Sequence, residues 1–333
     1  MGGFAEGAPC WADVMLPDVA AGKRFYGELF GWMFGDGSYS RAYREGRLVA
    51  ALAGKRDGRM PTVWTVYFAA PDIAALTGRV RSAGGQVVSG PLPVRDGTMA
   101  LAADPEGAVF GLWQGPQGTG FGVQQEPMSF CWTELYSRDK SVVDPFYSAV
   151  FRFGVTDLGP HGGDELRVWS PAGTRPGPDS AVGGRILIED SFPPEMPSHF
   201  LVYFRVPDCD LAAATVTRLG GRVHMAPTDT PYGRIAVFSD NQGADFAVLQ
   251  DYEVEGSAEA AAESDAEATQ EFDVLAATDA ADASEAANAA NAANAANAAN
   301  AANAVRGSGA GGAARRFGTA DAALEVGRPG AVN

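Results

Sequence analysis

A mostly apolar run over 11–17 breaks at Pro17, and Asp18 follows where a helix N-cap would stand. Val19, Phe25, Leu29 and Phe30 then recur at helical spacing, and short strands follow to about Ala53. The plan repeats at once. A strand over 62–69 ends at Pro71-Asp72, and a helix runs to the Gly84-Gly85 stop. Strands near 86–89, 98–103 and 108–113 turn at Asp104-Pro105-Glu106-Gly107. Each half therefore reads βαβββ.

The whole pattern then occurs a second time. The run Pro9-Cys10-Trp11-Ala12-Asp13, with Phe25-Tyr26 behind it, matches Phe130-Cys131-Trp132-Thr133-Glu134 with Phe146-Tyr147, at an offset of 121. Further on, Val66-Tyr67-Phe68 and Pro71-Asp72 match Val202-Tyr203-Phe204 and Pro207-Asp208 at an offset of 136, as do Gly84-Gly85 with Gly220-Gly221. The second copy thus carries about fifteen extra residues, placed by composition in the Gly/Pro-rich stretch 157–190. The expected organisation is one domain over 1–114, a Gly/Gln-rich linker over 115–127, a second domain over 128–252 and a tail over 253–333.

Charge separates the tail from the rest. Of the net −16, residues 251–333 carry −10, with 12 acids and no Lys, Arg or His between Asp251 and Glu285. Beyond them Asn recurs every third residue from 288 to 303 in an Ala background. With Phe272, Val274 and Leu275 as its main apolar anchor, this segment has little to offset the entropy of ordering, and disorder is expected. No Lys/Arg stripe marks a nucleic-acid or anionic-membrane surface. No apolar run reaches transmembrane length and the start has no signal-peptide pattern, so a cytoplasmic protein is expected. Cys10, Cys131 and Cys209 form no Cys-x-x-Cys pair and read as small buried hydrophobes.

An α+β chain of four βαβββ modules, with strand-Pro-Asp-helix starts at 17–18, 71–72 and 207–208 and Asp-x-x-Gly turns at 104–107 and 240–243, resembles the vicinal oxygen chelate superfamily. That superfamily includes glyoxalase I, bleomycin-resistance proteins and extradiol dioxygenases. The resemblance spans 9–250 and implies two glyoxalase-like domains. The Trp11-Ala12-Asp13 and Trp132-Thr133-Glu134 openings are similar to a two-copy actinobacterial group labelled glyoxalase or hydroxylase, some of whose members serve aromatic polyketide pathways of the anthracycline type.

In such proteins paired modules curl a sheet into a cup, and His, Gln or Glu ligands to a metal project from the first, fifth and eighth strands. Counting along this chain, those places fall at Trp11, Thr65 and Gly111, and at Trp132, Leu201 and Ala247. None is a good donor for a divalent ion, so no metal and no cofactor is expected. His199, one pleat before Leu201, is read as structural or as a ligand-binding donor rather than a metal ligand, and His161 and His224 as solvated.

Strand alternation puts Trp11, Asp13 and Met15 on one face, and Trp132, Glu134 and Tyr136 on the matching face of the second copy. Tyr67 and Tyr203 share the parity of Thr65 and Leu201. Two indoles offer flat apolar area for a planar aromatic ligand. Asp13 and Glu134 are candidate hydrogen-bond acceptors or acid–base groups. Cys10 and Cys131 fall by the same alternation on the helix side. Two classes of function stay open. One is a small-molecule-binding accessory or tailoring protein, working alone or with a pathway oxidase. The other is an enzyme: a glyoxalase-like lyase, a dioxygenase or a cofactor-free hydroxylase acting on a small carbonyl or phenolic substrate.

Overall fold

The structure is a computed structural model that describes residues 3–252 apart from 56, 59–60, 95, 117–118, 160–164, 190–191 and 193. His161 and the tail 253–333, expected to be solvated and disordered, lie outside the described residues.

The first copy supplies β1 (Pro9–Leu16), α1 (Val19–Phe30), β2 (Met33–Phe34), β3 (Tyr39–Arg44), β4 (Arg47–Gly54), β5 (Trp64–Ala69), α2 (Ile73–Ser82), β6 (Gln86–Val94), β7 (Gly97–Ala103) and β8 (Val109–Gln114). The second supplies β9 (Phe130–Ser137), α3 (Lys140–Phe151), β10 (Gly154–Asp157), β11 (Leu166–Ser170), β12 (Gly183–Leu187), β13 (His199–Arg205), α4 (Cys209–Arg218), β14 (Arg222–Thr230), β15 (Gly233–Ser239) and β16 (Asp245–Gln250). All four helices start the same way: Asp18, Asp72, Asp139 and Asp208 sit in extended backbone and accept a first-turn N–H.

Each copy forms one eight-stranded sheet, β2-β3-β4-β1-β5-β8-β7-β6 and its counterpart β10-β11-β12-β9-β13-β16-β15-β14. Within a module the first strand runs parallel to the last, and the two modules join through the antiparallel pairs β1–β5 and β9–β13. The fold is that expected: α+β, with two glyoxalase-like sheets. Register locates the extra residues. The offset between copies is 121 at β1/β9, 133 at β4/β12 and 136 at β5/β13. Most of the insertion therefore lies before β12, as composition indicated, and the rest between β12 and β13.

Helices cover one face of each sheet, and their aromatic side chains fill the space between the copies. Phe25, Tyr26 and Phe30 of α1 meet Phe204 and Phe246 of the second copy, while Phe146, Tyr147 and Phe151 of α3 meet Phe68 and Phe110 of the first. Two buried hydrogen bonds tie the copies reciprocally: Tyr26 Oη donates to Asp240 Oδ2 at 2.9 Å, and Tyr147 Oη to Asp104 Oδ2 at 3.1 Å. The other face of each sheet is the one on which the resemblance places a cup. Among the described residues no helix is long and apolar enough to cross a membrane.

Alternation is interrupted at one matching place in each copy. Pro9 pairs with Phe68 and Trp11 with Tyr67, leaving Cys10 as the extra residue of a bulge, and Cys131 stands in the same way between Phe130 and Trp132. The helix-side placement expected of the cysteines is thereby corrected for Cys131, which packs in the cluster that holds Tyr136, Leu201 and Tyr203. Both thiols are buried and donate to tyrosine carbonyls, Cys10 to Tyr67 and Cys131 to Tyr203. Burial pushes the Cys131 thiol up to about 12 and that of Cys10 higher still, which removes the thiolate a nucleophile needs.

Candidate functional site

In the first cup, register sets Trp11 opposite Tyr67 and Asp13 opposite Thr65. A hydrogen-bond chain links them. Trp11 Nε1 donates to Tyr39 Oη at 2.7 Å, Tyr39 donates to Asp13 Oδ2 at 2.9 Å, and Tyr67 donates to the same carboxyl at 3.2 Å. Asp13 is 5% exposed, and burial, only partly offset by these hydroxyls, pushes its carboxyl up to about 6. Trp11 also packs against Phe121, and Met15, one pleat beyond Asp13, is half-buried. Arg41 of β3 ion-pairs with Asp96 in the β6–β7 turn. Those elements lie toward opposite edges of the sheet, so the sheet curls far enough for them to meet.

The second cup repeats the theme with other residues. Trp132 lies opposite Tyr203, Glu134 opposite Leu201 and Tyr136 opposite His199. Tyr203 Oη donates to Glu134 Oε2 at 2.5 Å, Trp132 Nε1 to Glu134 Oε1 at 3.3 Å, and Tyr136 is a further hydrogen-bond partner of the carboxyl. Burial raises the Glu134 pKa against these donors. Leu201, Met225, Val237 and Ala247 pack around them, with Ile186 and Leu249 at the margin. Tyr232 Oη, from the β14–β15 turn, reaches Leu158 O at 3.4 Å, which closes this sheet as Arg41 and Asp96 close the other.

Each cup thus sets a carboxyl between two tyrosine hydroxyls beside an indole. One tyrosine, Tyr67 or Tyr203, is common to both copies. The other differs: Tyr39 of β3 serves Asp13, whereas the register equivalent of Tyr39 in the second cup is Leu166, and Tyr136 takes over at the position of Met15. Sequence reasoning missed Tyr39, because nothing in the spacing of its short strand fixes which residue of β4 it faces.

His199 is 6% exposed and stacks on Tyr136, with ring centroids 5.0 Å apart and planes 7° from parallel. Its Nδ1 lies 3.0 Å from Pro197 O. A carbonyl only accepts, so Nδ1 carries the proton and Nε2 presents a lone pair. The donor role expected of His199 is therefore spent on the backbone, and what faces away is an acceptor. His224 is not solvated as expected. Its side chain is 9% exposed, with Nε2 3.0 Å from Ser239 Oγ and 3.2 Å from Asp245 Oδ1, where the first copy has Val88, Ala103 and Val109.

The residues do not fit the superfamily's metal. The six places hold Trp, Thr, Gly, Trp, Leu and Ala, and among the described residues no three His, Cys, Asp or Glu side chains converge. At the eighth strand the obstacle is steric as well: a Cβ on Gly111 would lie 2.0 Å from Tyr67 Cδ1. The tyrosine ring occupies the space a carboxylate ligand would need.

Solved structures share this architecture. The Mn(II)-bound glyoxalase from Novosphingobium aromaticivorans superposes with a TM-score of 0.52 at 17% identity, covering 76% of this chain and 87% of that one. Homoprotocatechuate 2,3-dioxygenase from Arthrobacter globiformis gives 0.53 at 12% identity, covering 75% and 81%. No family model matches the chain. It is 38% identical over 273 residues to the anthracycline biosynthesis protein DauV of Streptomyces sp. (strain C5), covering 74% of this chain and 94% of that protein. The putative glyoxylase CFP32 of Mycobacterium tuberculosis (strain CDC 1551 / Oshkosh) is 36% identical over 259 residues, covering 74% and 96%. The chain belongs to the family of DauV and CFP32, and its fold is that of the solved glyoxalase and dioxygenase. Within that fold, the places counted for chelating side chains hold Trp11, Thr65, Gly111, Trp132, Leu201 and Ala247.

Proposed function

We propose that the protein binds a planar aromatic small molecule in a cup, without a metal, as an accessory or tailoring factor in aromatic polyketide biosynthesis of the anthracycline type. The observation that carries this reading is the exchange at the first-strand ligand position. In both copies an indole stands there, two residues from a carboxyl flanked by tyrosines. An apolar concavity with a few convergent polar groups is what an aromatic ligand with polar substituents requires. The similarity to proteins named for anthracycline biosynthesis, over 74% of this chain and 94% of theirs, supports the pathway. Delivery of the ligand to a pathway oxidase in the cytoplasm belongs to the same proposal.

The test is titration of the protein with anthraquinone-type aromatics, followed by indole fluorescence. Saturable quenching is expected, and Trp132→Ala or Trp11→Ala should weaken binding by about 5- to 150-fold in the occupied cup. Absence of binding across a panel of planar aromatics would refute the reading. The raised pKa values of Asp13 and Glu134 favour one second reading, a cofactor-free hydroxylase in which a carboxyl deprotonates a phenol. Turnover that falls about 10²- to 10⁴-fold in Asp13→Asn or Glu134→Gln, with binding retained, would establish it.

A further inference from the structure

The two cups differ in what they leave unpaired. In the first, Trp11, Tyr39, Tyr67 and Asp13 satisfy one another, and Trp11 and Asp13 are only 7% and 5% exposed. In the second, Trp132 and Glu134 remain half-buried. There the stacked ring of His199 also keeps an unused acceptor. Its Nε2 is buried and has no hydrogen-bond partner among the described residues. Burial lowers the imidazole pKa to about 4, so the ring is neutral at pH 7 and that nitrogen is a bare lone pair. An acceptor withdrawn from water without a donor is costly, and a group that supplies the donor recovers the cost.

The sheet register brings a second acceptor to the same face. His199 lies opposite Tyr136 and Leu201 opposite Glu134. His199 and Glu134 are therefore diagonal neighbours, roughly 7–8 Å apart along the sheet, a separation a fused-ring system can span. Trp132 stands on the far side of Glu134 along β9. The face thus runs from indole to carboxyl to imidazole, with apolar walls from Met225 and Leu249. A single imidazole without converging carboxylates does not make a metal site.

Resting on the aromatic-binding reading above, we infer that the second cup is the one that takes the ligand. Its occupant is a planar aromatic carrying a free O–H, which His199 Nε2 accepts while Trp132 covers the ring. His199 is then a specificity-determining residue that selects hydroxylated aromatics over their methyl ethers. The first cup, already satisfied internally, serves as a packed structural copy.

Calorimetric titration of the full chain with 2-hydroxyanthraquinone and with 2-methoxyanthraquinone tests this, since the probes differ in that one donor. The expected result is one site per chain and about 5- to 150-fold tighter binding of the hydroxyl probe. In His199→Phe, which keeps a ring stacked on Tyr136 and removes the acceptor, the preference should vanish. Trp132→Ala should weaken both probes alike. Equal affinities in the unaltered protein, two sites per chain, or a preference that survives His199→Phe would overturn the inference while leaving aromatic binding intact. If neither probe binds, the broader reading fails and takes this one with it. The comparison in the unaltered protein requires no variant, so it decides the question even where His199→Phe does not fold.

Discussion

Replacing Asp13 with Asn should change how the stability of the protein depends on pH. The carboxyl is buried between two neutral hydroxyl donors and titrates at about 6, against an ordinary value of 3.8. In the unfolded chain it returns to that ordinary value. A carboxyl raised in the folded state contributes most below its unfolded pKa, and that contribution is lost as pH rises through the folded one. Worked from the shift, Asp13 costs the fold about 1 kcal/mol at pH 4.5 and about 3 kcal/mol at pH 7.5. Asn carries no such term. Urea unfolding of both proteins at pH 4.5, 6 and 7.5 isolates it, because groups that titrate alike in the two proteins cancel. Asp13→Asn should gain on the parent by about 2 kcal/mol between the lowest and highest pH. A difference that stays constant within about 0.5 kcal/mol, or that grows in the opposite sense, would refute the assignment of Asp13 as a buried carboxyl without a cation.

Three further single substitutions probe the frame around the cups. Gly111→Ala places a Cβ 2.0 Å from the Tyr67 ring, so Tyr67 must move and its hydrogen bond to Asp13 break. We expect a loss of about 1–3 kcal/mol in chemical denaturation, relieved in Gly111→Ala/Tyr67→Leu, and no relief would show that the ring is not the obstacle. Tyr26→Phe and Tyr147→Phe each remove one hydroxyl from a buried turn carboxyl, Asp240 or Asp104, that also accepts backbone N–H groups. Each should cost about 1–2 kcal/mol, and the double variant should equal their sum within about 0.5 kcal/mol, since the contacts share no residue.

The strand-Pro-Asp-helix starts made the fold readable, because an N-cap aspartate behind a proline is a local signal that tertiary context seldom overrides. The repeat then supplied the pairing, since a residue's place in one copy fixes its place in the other. Strand parity grouped Trp11 with Asp13 and Trp132 with Glu134, and the β1–β5 and β9–β13 registers set Tyr67 and Tyr203 across from the indoles. What escaped was whatever depends on sheet curl or on a broken period. Tyr39 reaches Asp13 because β3 curls inward, and Cys131 changes side because a bulge adds one residue to β9. His224 looked solvated because its partners, Ser239 and Asp245, lie on strands formed later in the chain. The tautomer of His199 turns on a backbone carbonyl two residues away, a contact that residue type does not encode.

The reciprocal grip of Tyr26 on Asp240 and of Tyr147 on Asp104 has a bearing on how the two copies can differ. Residue i touching j while the matching j touches i is the signature of an isologous contact between identical subunits. Here the four residues fall at the two offsets of the internal repeat. The two copies thus meet as the protomers of an isologous dimer would, but fused in one chain. In a true homodimer every mutation appears twice, so one cup cannot close without closing the other. Fusion lifts that constraint: a substitution such as Tyr39 in one half, or His199 in the other, enters once. A single polypeptide can then keep one half as scaffold and let selection reshape the other around a new guest.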